Sequence, residues 1–184
     1  VAIFQRKPVS MRAIKSLFRT KPDPKEALRP LYIAIVEAAR QPHWYVQGEV
    51  PDTLDGRFDM ISLIFALVSH HIDQDPDQAV AGVHLTEILV DDMDGQLRQI
   101  GFGDMVVGQH VGKMMSALGG RLGAYRHQAA DPQFREGLIR NLWRGNPPAE
   151  PAITYVIGQV AAIQQALAAV PPAELVKATA IPGA

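Results

Sequence analysis

Two stretches of this chain place carboxylates beside arginines: Val50-Pro-Asp-Thr-Leu-Asp-Gly-Arg-Phe58 and the run from Asp91 to Gly108. Such clusters can move protons, hold a phosphate-bearing substrate or recognise a charged partner. Stricter catalytic templates fail. Gly103-Asp-Met-Val-Val-Gly108 has the glycine spacing of a phosphate-binding loop, but Gln109 and His110 stand where Lys and Ser or Thr are required. Asp92-Met-Asp94-Gly95 begins like a calcium loop, yet Gln96 and Gly103 occupy ligand positions. His70 and His71 are adjacent, so they point to different sides of a helix and read as solvated or capping residues. Ser62, Ser69 and Ser116 lack a nucleophile elbow. No nucleophile is paired with a base, and no cofactor or metal motif stands out.

Each cluster also has a local structural use. In the first, Pro51 stiffens the entry and Asp52, Thr53 or Asp55 can cap a following helix. Gly56 relieves crowding at its start, and Arg57 lies beside Asp55 and Asp59. In the second, Glu87, Asp91, Asp94 and Arg98 share one helical face, with Asp94 and Arg98 an acid-first i,i+4 pair. Gly101-Phe-Gly-Asp104 then makes a tight corner, where Asp104 can cap the next helix.

The elements that must position these residues are helical. Pro24 after Asp23 opens a helix whose apolar positions run from Leu28 to Ala39, ending near Arg40 because Pro42 disfavours continuation. A loop with Gly48 and Pro51 follows. Phe58 to Ile72 is apolar on nearly every side and belongs at the centre of the core. Further helices are predicted over Gln78–Ile100, with Leu89, Met93, Leu97 and Ile100 buried, and over Met105–His127, with the stripe Val107, Val111, Met114, Leu118, Leu122 and Tyr125. Gln133–Arg144 and Ile153–Val170 complete the set. No β-alternation of useful length occurs. The fold class is therefore all-α, a single compact domain of about six helices over residues 24–170, with a tail over 171–184 expected to fray.

Charge is unevenly placed. Residues 1–21 hold six of the 18 basic residues and no acid, leaving 12 basic against 19 acidic residues, a net −7, in the remainder. From Met11 to Arg19, Met11, Ile14, Leu17 and Phe18 recur at helical spacing, with Arg12, Lys15 and Arg19 on another face. A basic amphipathic stretch suits an anionic membrane surface, so Arg12, Lys15, Phe18 and Arg19 are the candidate membrane contacts of an arm over residues 1–23. The chain opens on Val1, which reads as a processed product or fragment, with Met11 an alternative start. The overall charge of −1 speaks against specific nucleic-acid binding. Without cysteine there is no disulfide framework, thiolate metal site or cysteine nucleophile. The longest apolar run, Met60–Val68, is far short of the ~20 residues a membrane span needs.

The first cluster, then Asp92-Met-Asp94-x-x-Leu97-Arg98-x-x-Gly101-x-Gly103-Asp104-x-x-Val107-Gly108, then Gly120-Arg121-x-x-Ala124-Tyr125, resembles the ubiquinol–cytochrome c chaperone family in order and spacing. Ala38-Ala39-Arg40-Gln41-Pro42-x-x-Tyr45 upstream matches as well. The resemblance spans roughly residues 31 to 145, and its shortness is similar to bacterial members. It implies a non-enzymatic, all-helical assembly factor for the cytochrome bc complex that binds newly made cytochrome b. Family members in mitochondria act with a second small assembly factor near the ribosomal exit. It further implies a location on the cytoplasmic side, peripheral to the inner membrane (the matrix side in mitochondria). On this reading the partner-binding residues are Pro51, Asp52, Thr53, Gly56, Arg57, Asp92, Asp94, Arg98, Asp104, Arg121 and Tyr125. Three other readings remain: a peripheral lipid-binding helical module carried by the basic arm, a structural subunit of the complex, and a small enzyme with converging carboxylates.

Overall fold

The computed structural model describes residues 23–99, 101 and 103–184. The candidate membrane residues Arg12, Lys15, Phe18 and Arg19 lie outside them, as does Ile100 of the expected stripe. Among the described residues every regular element is helical. Six helices have ten residues or more: α1 (Arg29–Ala39), α3 (Leu54–Ile72), α4 (Ala79–Gln99), α5 (Asp104–Ala124), α6 (Pro132–Asn141) and α7 (Glu150–Ala168). Two are short, α2 (Pro42–Val46) and α8 (Pro172–Leu175).

α3 is the axis of the fold. Phe58 to Ser69 is buried without interruption, and α1, α4, α5, α7 and α8 all pack against it. A helix apolar all round has no solvent face to offer, so its neighbours must enclose it. Thr53 caps it by accepting from the Gly56 amide at 3.1 Å, which settles which of the three polar residues in that loop does so. A Cβ on Gly56 would lie 1.9 Å from the Pro51 carbonyl oxygen, so only glycine lets the loop fold this tightly over the first turn.

Proline starts elements here more often than it stops them. The expected first helix is split into a 3-10 turn, Pro24–Ala27, capped by Asp23, and α1. Pro42, expected only to end that helix, occupies the first turn of α2, in a segment expected to be a loop. α2 delivers Trp44 into the core, where its indole N–H donates to the Ala38 carbonyl at 2.8 Å. Between α4 and α5, Gly101 takes a left-handed φ of 98°, which ends α4. Gly103 is the N-cap of α5, so the expectation that Asp104 caps it is corrected: Asp104 is its first residue.

The chain beyond Pro171 does not fray. Leu175 is fully buried and Ile181 nearly so, and Gly183, at φ 78°, lies against α7 close to the Ala162 carbonyl. The His71 ring nitrogen meets the Val170 carbonyl at 2.7 Å, and that of His70 meets the Leu122 carbonyl at 2.7 Å. His70 thus caps the last turn of α5, and His71, pointing to a different side of α3, holds the chain just beyond α7.

Candidate partner-binding cleft

A buried ionic centre anchors the first cluster. Asp59, in the second turn of α3, is completely buried. Arg121 of α5 donates to its Oδ1, and Arg144, beyond α6, donates to its Oδ2 through Nε and Nη2, both at 3.2 Å. Arg144 also reaches Asp55 at 2.9 Å. Burial pushes the Asp59 carboxyl above the usual carboxylate range, while the two guanidinium groups pull against that shift. Arg121 lies 5.3 Å over the Phe58 ring, a cation–π contact. Arg144 holds a left-handed φ of 53°, uncommon for a bulky residue. The loop after α6, α5 and the start of α3 are thereby tied at one point.

Arg57, expected beside Asp55 and Asp59, pairs instead with Asp52 at 2.6 Å. Its position on the helix turns it outward, away from the side on which Asp55 and Asp59 meet Arg144. The bond to Arg57 holds the Asp52 carboxyl below the usual range. In the second cluster Arg98 pairs with Asp94 at 2.6 Å and with Asp104 across the corner. The Arg98 guanidinium is shifted upward by these bonds, Asp94 first. Asp92 turns the other way: it accepts from Tyr32 of α1 at 2.6 Å and from Gln96 at 2.7 Å. The charged face shared by Glu87, Asp91, Asp94 and Arg98 is partly covered, because Lys25 reaches Glu87 and Asp91 at 3.1 and 3.5 Å.

Between the two clusters lies a cleft of about 170 Å³. Phe58 and Ile61 of α3, Met93 and Leu97 of α4 and Met114 of α5 make its apolar floor; Arg40, Asp55, Arg57, Gln96 and His110 form the rim. The first cluster enters through Leu54, Asp55, Arg57 and Phe58, and the second through Met93, Gln96 and Leu97; Arg98, beside Leu97, carries the ion pairs. Exposed Leu54 stands at the mouth. Two further clefts adjoin it at Arg40. One, of about 400 Å³, includes Tyr45, Val46, Asp52 and Arg57. The other, of about 220 Å³, includes Tyr32, Ile33, Glu37, Asp92 and Gln96.

The expected contact residues therefore divide. Pro51, Asp52, Thr53, Arg57 and Asp104 are exposed, as is Arg98, while Asp92 and Asp94 are half-buried. Gly56, Arg121 and Tyr125 are buried and support this surface from beneath; Tyr125 packs against Phe134 with ring centroids 5.7 Å apart. Asp59, Arg144, Tyr32 and Arg40 are not among the site residues that the sequence patterns single out. A lone carboxylate inside the apolar run of α3 is the available signal for the first two, since a buried charge demands a partner. Among the described residues no group of His, Asp and Glu could hold a metal ion, and no helix is long and apolar enough to cross a membrane.

The sequence model of the ubiquinol-cytochrome C chaperone family matches residues 47–181. Among solved structures, the chain is similar to the crystal structure of the Cbp3 homolog from Brucella abortus, at 29% identity and a TM-score of 0.74. That match covers 91% of this chain and 96% of the other. No curated protein matches.

Proposed function

Because the chain belongs to the ubiquinol-cytochrome C chaperone family, we propose that it is a non-enzymatic assembly factor that binds newly made cytochrome b for the ubiquinol–cytochrome c reductase complex. The family carries the chaperone role in bc-complex assembly. The choice of client follows the family resemblance, and the choice of surface rests on one observation: the two acid–arginine clusters flank a cleft with an apolar floor. A membrane protein awaiting assembly exposes apolar segments, and a small apolar cleft with a charged rim can cover part of one. Paired surface charges give orientation and selectivity more than affinity. Asp52, Arg57, Asp94, Arg98 and Asp104 are the direct contacts; Thr53, Gly56, Asp92, Arg121 and Tyr125 hold them in place.

In this reading the protein works on the cytoplasmic face of the membrane, with a second small assembly factor and the ribosome as further partners. The basic arm, with Arg12, Lys15, Phe18 and Arg19, holds it close to anionic lipid. A purely lipid-binding role draws support from the same arm; flotation with anionic vesicles in the absence of any cytochrome b would favour it. The deciding experiment is capture of the tagged protein from native membranes after brief crosslinking, read by mass spectrometry. Enrichment of cytochrome b with little of the mature complex supports the proposal. Cytochrome b at background, with the bait folded and abundant, rejects it.

A further inference from the structure

Arg40 is where the three clefts meet, lining each of them, and among the described residues it has no ion-pair partner. The carboxylates around it are committed elsewhere. Asp52 is taken by Arg57, Asp55 by Arg144, and Asp92 by Tyr32 and Gln96. Glu37, one turn earlier on α1, makes no ion pair with it. A solvent-exposed guanidinium without an ion-pair partner therefore stands at the edge of an apolar floor made by Phe58, Met93 and Leu97.

From this we infer that the cleft takes an apolar segment of a client protein that carries a single carboxylate, which docks on Arg40. The inference deepens the chaperone reading and rests on it. Charge complementarity selects the occupant. An apolar segment laid over the floor excludes water from the guanidinium, which strengthens a bond to an incoming carboxylate. A planar guanidinium also binds carboxylate in a bidentate geometry that an ammonium does not reproduce. A basic occupant would place a like charge beside Arg40 and leave the guanidinium unpaired. Without a carboxylate, the same segment would bury the charge unpaired, which opposes binding.

The test uses the full chain and three fluorescein-labelled 18-residue peptides, apolar on one face and identical except for one central Glu, Gln or Lys. By fluorescence anisotropy the Glu peptide is expected to bind at least tenfold more tightly than the Gln peptide. The Lys peptide should be weakest. Arg40→Gln should abolish the Glu-over-Gln preference, Arg40→Lys should keep part of it, and both variants should unfold at the wild-type temperature. Equal binding of the Glu and Gln peptides, a preference that survives in Arg40→Gln, or tightest binding by the Lys peptide would overturn the inference. Failure of the chaperone reading has a different signature: cytochrome b absent from the membrane capture while the peptide preference and its loss in Arg40→Gln persist.

Discussion

Asp59 and Arg121, 62 residues apart in sequence, form a buried ion pair between α3 and α5 beneath the exposed charges of the cleft. The carboxylate is wholly enclosed and the guanidinium nearly so, which separates this pair from every surface pair nearby. Removing one partner leaves a buried charge without compensation, a loss of about 3–5 kcal/mol. Arg121→Ala should therefore lower the urea midpoint strongly, with Arg144 limiting the damage. Arg57→Ala breaks an exposed pair and should leave the midpoint near that of wild type. Equal midpoints for the two variants would contradict the buried geometry.

Glycines at two places should respond in opposite directions to alanine. At Gly56 the added methyl meets the Pro51 carbonyl, so Gly56→Ala should displace the loop carrying Asp52 and lower the melting temperature. At Gly95, inside α4, an added methyl would find nothing within 4 Å. Gly95→Ala should stabilise by up to about 1 kcal/mol through helix propensity. Thermal denaturation followed by circular dichroism separates the two.

The C-terminal segment should behave as part of the core. Leu175→Ala removes a completely buried side chain and should cost about 2–5 kcal/mol. A freely fraying tail would give no measurable change in the unfolding midpoint.

Burial, then the bond to Asp92, pushes the Tyr32 phenol above its ordinary value of 10.0. Its raised value means the folded state keeps the proton longer than the unfolded chain does. The associated stability is complete below about pH 10 and is lost as pH rises beyond it. The wild-type midpoint should fall over that range, and Tyr32→Phe should flatten the fall. Identical slopes would show that Tyr32 is not held as described.

The helical layout is legible in the sequence because it rests on local signals. Apolar spacing locates all six longer helices, and proline and glycine mark most of their ends. What escapes is tertiary choice. Arg57 has three nearby acids in sequence, and which of them it faces depends on how the loop at Pro51 closes over Gly56. Arg144 reaches α3 only because α6 brings it back across the fold, a contact separated by 85 residues. The fraying expected after Pro171 overlooks Leu175 and Ile181, two apolar residues with a ready surface on α3 and α7. The cleft itself is assembled from α1, α3, α4 and α5, so no single segment announces it. Its flanking residues are legible as motifs, whereas Tyr125 and Arg121 are motif residues turned inward.

The most direct test of the central claim is site-specific photocrosslinking in native membranes. A photoreactive residue at Leu54, at the mouth of the cleft, is compared with one at Val80, exposed at the far end of α4 and about 25 Å along that helix from Leu97. A cytochrome b adduct at Leu54 and none at Val80 is the expected result. Adducts at Val80 alone, or none at either position while the protein stays folded and membrane-associated, would contradict it.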